Sequence, residues 1–582
     1  METAIIAHGA TPWPIGNIQH WEETGARLES AIATYLHSCL ALEQSASTAP
    51  PIGIDNLPAR LGRRIEYFHT LMTQPLAQSL ASVARTRNQL VTSIYRIPSE
   101  VLERIFDFAV NNAGTDLPMR SAISASCLCL YRILSVCSVW RKVGLAYARL
   151  WTLVPLVYSN RSRAITVKSA NLSLERAGRS ELHLVADLGN DFGLVLGSPL
   201  ANLLVENGSR FRIINLRSSS HSVLERVLDS ILATALPGSI SDLSLSHDPT
   251  IAWQPQPIST TRLLGFDVPS KQATFESILS SLRVLRLDNV LPRMGNLAFA
   301  GLVVLRIQAI SFETDLDLRE FLRTLVSASY LQTLDIISVD ASEATNSPFP
   351  PHNDVDPCSI PSLQTLFLDN LSSNVINAVL SSIKSGTHRT ALSVSNEISA
   401  TQRSGGRVHT EILTLQNVTQ CHNIDTLIFG EAWFPFDTAG VLRSLLSILP
   451  NLATIYFNEQ HLDHASLAAL TRRPDISEPR VQLRRIYISR SSIDDIGDQT
   501  AFKDMLSSHP LEELVLGARL SEVAEIVEPG NQSNGDLDSV EIIGADVRTI
   551  TLKTWLQTNI PKLTLLASTQ HVGYKSSEWQ LW

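Results

Sequence analysis

The residues best equipped for chemistry are His461 and His464, Cys127 and Cys129, and the arginine pairs Arg472-Arg473 and Arg484-Arg485. A zinc hydrolase helix needs two histidines four apart with a glutamate base between them. His461-Leu462-Asp463-His464 has the wrong interval and no glutamate, so a solvated or capping role is expected. Cys127 and Cys129 fall in an apolar stretch, where small buried hydrophobes explain them better than a metal. A thiol ligase would need a cysteine activated by electropositive, partly exposed surroundings, and no such setting is legible around any cysteine. The arginine pairs read as solvated. The sequence carries no P-loop, no G-x-S-x-G and no G-x-G-x-x-G. These residues predict a protein that is not an enzyme and takes neither metal nor cofactor.

The elements around these residues must come from a chain of 582 residues with 44% hydrophobic and 18% charged content. Its mean hydropathy is +0.08. That is too apolar for a mainly disordered chain. Length suggests about three to five domains, unless a repeat array breaks the count. A net charge of −9 argues against a global nucleic-acid or anionic-membrane footprint. Met1 to Pro14 has no basic n-region or long apolar h-region, and no stretch nears the ~20 apolar residues of a membrane span. Six cysteines without a CxxC pair fit a reducing, intracellular compartment, cytoplasmic or nuclear.

Residues 1–59 read as a mixed and linker segment, with a helix over 27–43 carrying Leu28, Ile32, Tyr35, Leu36 and Leu40. Residues 60–94 form a helical segment. Leu76, Leu80, Val83, Leu90 and Ile94 fall on one stripe there, with Arg87 in its gap; the expectation is a docked helix, with a coiled coil as the alternative. In 95–155, Ile97-Pro98-Ser99-Glu100 starts a helix with Ser99 as its cap, and Val101, Leu102, Ile105, Phe106 and Ala109 give it an apolar face. Asn111 to Pro118 breaks it. A second helix follows from about Ala122 to Trp140, continuing or bending toward Tyr147, and Leu150-Trp151 closes the unit.

These residues resemble the F-box family. Its pattern is Leu-Pro-x-Glu-(aliphatic)-Leu-x-x-Ile, then Val-Cys-x-x-Trp-(Arg)-x-(aliphatic), then Leu-Trp. The chain has Ile97-Pro98-Ser99-Glu100-Val101-Leu102-Glu103-Arg104-Ile105, Val136-Cys137-Ser138-Val139-Trp140-Arg141-Lys142-Val143 and Leu150-Trp151. It departs in Ile97 for Leu and in a longer insert, Asn111 to Ala125. The resemblance implies docking onto the linker subunit of a cullin–RING (SCF-type) ubiquitin ligase. The matching positions are Ile97, Pro98, Glu100, Val101, Ile105, Val136, Cys137, Trp140 and Trp151, some of which must hold the motif's own core.

Over 156–582 the pattern apolar-x-x-apolar-x-apolar recurs, as in Leu282/Leu285/Leu287, Leu331/Leu334/Ile336, Leu452/Ile455/Phe457 and Leu483/Ile486/Ile488, with a last instance at Val547/Ile550/Leu552. Amphipathic helical stretches lie between. This resembles leucine-rich repeats of the longer, helix-containing class. The fold expected is α+β: a small all-α bundle, then an α/β leucine-rich-repeat solenoid with a curved parallel sheet and outer helices. Asn289 and Asn370 fall two positions after the last core residue, not three, so no asparagine ladder is expected. Residues 246–262, 338–361, 385–411 and 527–536 read as loops, and Trp433, Phe434 and Phe436 as tucked between helices. Residues flanking the inward pair of each strand should face solvent: Arg286, Arg306, Asp335, Phe367, Ile428, Tyr456 and Tyr487, a substrate-binding row rich in hot-spot types. The expected function is substrate recognition for the ligase. The partners are the linker subunit, through it a cullin, and a protein target, with no nucleic acid or membrane. The alternative is a repeat scaffold acting outside any ubiquitin ligase.

Overall fold

A computed structural model describes residues 15–48, 56–91, 97–114, 117–159, 164–165, 167–188, 198–248, 262–293, 298–342, 357–384, 386–394, 423–430, 438–472, 481–494, 500–520, 547–567 and 579–581. They fall into two units, Met1–Ile97 and Pro98–Trp582. Expectations for Ile94, Trp433, Phe434, Phe436 and 527–536 lie outside the described residues.

In the first unit, α1 (Ile15–Thr48) is twice the length expected. Its apolar residues start earlier than the 27–43 window: Ile18, Trp21, Leu28, Ile32, Tyr35 and Leu42 alternate at intervals of three and four, or their sums, the a/d spacing of a heptad. The second helix runs as α2 (Leu57–Tyr67), a π-helical turn (Phe68–Met72) and α3 (Thr73–Val91). Pro75 has no N–H for the Leu71 carbonyl, and the wide turn sits just before it. The turn also absorbs one residue. Leu61, Ile65, Phe68 and Met72 keep the three–four spacing, Leu76 comes one residue late, and Leu80, Val83 and Leu90 resume the stripe.

The second unit is α+β. Its helical region comprises α4 (Ser99–Asn111), α5 (Met119–Val136), α6 (Ser138–Ala146) and a 3₁₀ turn (Ala148–Trp151). Ser99 is the first helical residue and Pro98 the cap, because proline's fixed φ already directs the chain. The single second helix expected is two. Cys137 adopts an extended backbone (φ −157°) between them, and its Sγ accepts the Trp140 N–H at 3.4 Å, capping α6. By length and composition α5 could cross a membrane; its inner face, Ile123, Leu130, Ile133 and Leu134 among others, is buried in the protein.

A sixteen-stranded sheet follows. Among the described residues its strands add in chain order and run parallel, from Leu153–Ser159 and Leu182–Leu188 to Glu513–Leu520 and Lys562–Leu565. The exceptions are an antiparallel edge, Ala164–Ile165, and His461–Leu462, which pairs beside Arg485–Ile493. Parallel neighbours cannot be joined by a tight hairpin, so helices fill most connections. The core lies between helices and sheet: Leu285, Leu287, Leu305, Ile307, Leu334 and Ile336 stack in register and are fully buried. Several expectations fail, among them the loop readings of 246–262 and 338–361, which take in the end of the strand Asp242–His247 and the strand Asp340–Ser342. Val547 to Leu552 opens a helix, Val547–Asn559, because the i, i+3 spacing also suits a helix and Leu556 extends it as such. Arg389–Val394, read as loop, is a buried strand whose Thr390 and Ser393 disguised it.

Five strands from Val284–Asp288 onward end in one conformation. Asn289, Ala309, Ser338, Asn370 and Glu459 follow their strands in the left-handed region, and Arg490 adopts it within Arg485–Ile493, with φ between 47° and 57°. The turn lets the ladder run one step further: the Asn289, Ala309, Ser338 and Glu459 amides donate to Gln308, Ile337, Asp369 and Ser489 carbonyls at 2.8–3.1 Å. Asn289 Nδ2 also donates to the His247 carbonyl at 3.0 Å, and Asn370 Nδ2 to Ser338 Oγ at 2.9 Å.

Candidate docking surfaces

Two surfaces carry the residues singled out above. On the helical bundle, one face of α4 points inward through Leu102, Phe106 and Val110. The other, at i, i+4 and i+7, leaves Val101, Ile105 and Phe108 exposed at 45%, 46% and 73%. On α5, Leu128, Tyr131 and Val136 are likewise at least half exposed. Pro98 and Glu100 are exposed and Ile97 is half-buried.

The remaining matched residues turn inward. Trp140 packs on Phe106 with ring centroids 4.9 Å apart, and Cys137 caps the helix below it. Trp151 is buried; its Nε1–H donates to the Gly144 carbonyl at 2.9 Å, and the Arg176 guanidinium lies 5.6 Å from its ring centroid. A Cβ at Gly144 would meet Leu134 Cδ2 at 2.7 Å, so any larger residue there would make the Leu134 side chain shift. The bundle therefore splits the nine positions: Pro98, Glu100, Val101, Ile105 and Val136 are presented, Ile97 is half-buried, and Trp140, Trp151 and Cys137 build the support. Trp151 is out of a partner's reach.

A clasp that local sequence did not signal ties the bundle to the sheet. Trp579 packs among Met119, Ile123 and Val185, its Nε1–H donates to Asn215 Oδ1 at 2.9 Å, and Asn215 Nδ2 donates to the Gln580 carbonyl at 3.1 Å. The Trp579 carbonyl accepts the Met119 N–H at 2.8 Å. The first amides of a helix have no internal partner, and Pro118 offers no side-chain cap, so this segment caps α5. Arg120 pairs with the buried Asp187 carboxylate at 3.2 Å beside it.

On the sheet, register places the predicted row on one face. Arg286, Arg306, Asp335 and Phe367 are direct partners in successive strands, as are Ile428, Tyr456 and Tyr487. The two runs meet across Ala391, where the ladder shifts register and Phe367, Ala391 and Ile428 cluster with Ile337 and Tyr456. The row is far less solvated than expected: Arg306 is 2% exposed, Asp335, Phe367 and Ile428 are buried, and Arg286, Tyr456 and Tyr487 are half-buried. In-register parallel pairing puts like positions side by side, so each side chain covers its neighbours. Tyr456 and Tyr487 stack at 4.2 Å, and Tyr487 Oη–H donates to Glu513 Oε2 at 2.9 Å.

The charged end of the row is tuned by burial. Arg306 donates to Gln308 Oε1 at 2.6 Å. Burial lowers Arg286 to about 10, with Asp242 and Asp335 opposing and Arg306 adding to the fall. Burial pushes Asp288 up to about 6, although Ser246 Oγ–H donates to it at 2.7 Å. Asp369 is raised by the same cause. Such a surface offers an ion-paired half and an aromatic half. No protein-family model and no curated protein sequence matches the chain.

The other chemistry-capable residues serve the scaffold. His461 contacts Ser492 Oγ at 2.8 Å and Asp494 at 3.2 Å, while Asp463 caps the next helix through the Ser466 N–H. Cys129 Sγ–H donates to the Ala109 carbonyl at 3.5 Å, and burial pushes the Cys127 thiol up. Arg484 pairs with Glu512 at 3.3 Å, and Arg473 lies outside the described residues. Among the described residues no group of acidic, histidine and cysteine side chains could hold a metal.

Proposed function

We propose that residues 97–151 dock the linker subunit of a cullin–RING ubiquitin ligase and that the strand–helix units behind them are a leucine-rich-repeat-like solenoid holding a protein target. The observation that carries this reading is the apolar strip Val101, Ile105 and Phe108, left uncovered on a bundle whose inner faces are otherwise packed. Exposed aliphatic and aromatic anchors at helical spacing are what a docked helix or groove needs. The match of Pro98, Glu100, Val101, Ile105 and Val136 to the F-box pattern supports it, since these are the positions the bundle presents.

The mechanism is positional. The adaptor holds a target beside a ubiquitin-loaded enzyme carried elsewhere on the ligase, raising effective concentration without bond chemistry of its own. The target meets the row from Arg286 to Tyr487, acidic and basic groups at one end and stacked tyrosines at the other. The setting is cytoplasmic or nuclear, where such ligases work. The test is affinity capture of the full chain with proteasome activity blocked, comparing wild type with Val101→Asp/Ile105→Asp. Both positions are exposed, so the bundle stays folded. Linker subunit and cullin should be recovered with wild type and lost with the variant. Equal recovery from both, or none from wild type, rejects the assignment and leaves the scaffold reading.

A further inference from the structure

Among its described residues the first unit has no buried interior. Not one described residue of α1, α2, the π turn or α3 is buried, yet the a/d residues Ile18, Trp21, Leu28, Ile32, Tyr35 and Leu42 stand 40–57% exposed, and Leu61 to Val83 repeat the pattern on the second helix. Tyr35 stacks on Phe68 at 4.9 Å. These residues lie similar distances from the connection between Thr48 and Leu57. A parallel arrangement would need that connection to span about 36 Å, beyond the about 32 Å that nine chain steps reach. A parallel run is therefore excluded, and the chain turns back at that connection as a helical hairpin. Helices in water owe most of their stability to packing of an apolar face, and one hairpin alone leaves much of each face wet.

We infer that a second copy of this chain covers these faces, two hairpins making a four-helix bundle. The charges favour a copy over another partner. α1 carries Glu22, Glu23, Glu29 and Glu43 against Arg27, whereas the second helix carries Arg60, Arg63, Arg64, Arg85 and Arg87 against Glu66. Glu22, Glu29 and Glu43 occupy positions that flank the apolar seam. One hairpin thus holds an acidic and a basic helix. A two-fold axis lays each acidic helix against the basic helix of the other copy, the self-complementarity an isologous interface requires. The inference is independent of the ligase reading.

Sedimentation of the full chain tests it. Wild type should sediment at twice the 64.0-kDa chain mass. Ile32→Asp/Leu80→Asp should sediment as monomer. Because seam changes could melt the hairpin, charge reversals that spare the seam give a second reading. Glu22→Lys/Glu43→Lys and Arg64→Glu, which flank the seam, should each weaken self-association, on the order of tenfold. Mixed together they should recover a heterodimer, since reversed signs then face each other. A wild type that stays monomeric at high micromolar concentration overturns the inference. So does a seam variant that remains dimeric, or charge variants that fail to rescue one another.

Discussion

Replacing Trp579 by alanine removes a buried indole from the junction of bundle and sheet. The ring is 5% exposed among Met119, Ile123 and Val185. Truncating such a side chain costs about 3–5 kcal/mol through lost transfer and cavity terms. Asn215, wholly buried, also loses the indole donor to its Oδ1, adding about 1–3 kcal/mol if no water replaces it. Together these give about 4–8 kcal/mol at the junction, whereas Trp579→Phe, which keeps most of the ring, should cost about 1–3 kcal/mol. Hydrogen exchange read by mass spectrometry reports it locally. The Met119 amide donates to Trp579, so protection over 119–123 should fall about a thousandfold in the alanine variant. Strands beyond residue 284 should exchange as in wild type. Unchanged protection at 119–123 would refute the reasoning, because α5 would then be held without the clasp. Uniform loss across the sheet would refute it too, since the effect would not be local.

The remaining predictions concern the sheet. Ala309 is left-handed at φ 50°. Relief of its ~1–2 kcal/mol strain should outweigh glycine's extra unfolded-state entropy, so Ala309→Gly should stabilise by about 0.5 kcal/mol in chemical unfolding. A lower midpoint would count against the strain argument. Burial raises the Asp288 carboxyl to about 6 from 3.8, so the folded state binds its proton more tightly. The sign follows: this group's contribution is greatest below the unfolded value and is lost as pH rises toward 6, at most about 3 kcal/mol. Asp288→Asn should therefore gain stability over wild type as pH climbs from 4 to 7. A pH-independent difference between the two would show that burial does not strain the charge.

Several features were legible in sequence because they rest on local periodicity. Leu285/Leu287 and Leu334/Ile336 repeat an inward pair that only a stacked sheet buries, and their register followed. Arg389–Val394 escaped because Thr390 and Ser393 are buried polar residues that hydropathy reads as loop. The left-handed strand ends escaped because Ala309, Ser338 and Glu459 replace the glycine that would announce them. Cys137 as a cap was invisible, since thiols seldom take that role in place of Ser, Thr, Asp or Asn. For the proposed docking positions, the F-box resemblance named residues but not their direction, because Val101 and Leu102 look alike until packing assigns one outward and one inward.

The order of the sheet has a consequence for how the protein is made. Among the described residues every strand from 182 onward pairs with neighbours near it in sequence, so folding can keep pace with a ribosome, each strand settling on the one already released. The clasp breaks that progression. Asn215 waits 364 residues for Trp579, and the first amide of α5 longer still, so a nascent chain carries a loosely fastened helical bundle until the segment at Trp579 has been made. Only a chain translated through residue 581 can lock the bundle to its sheet.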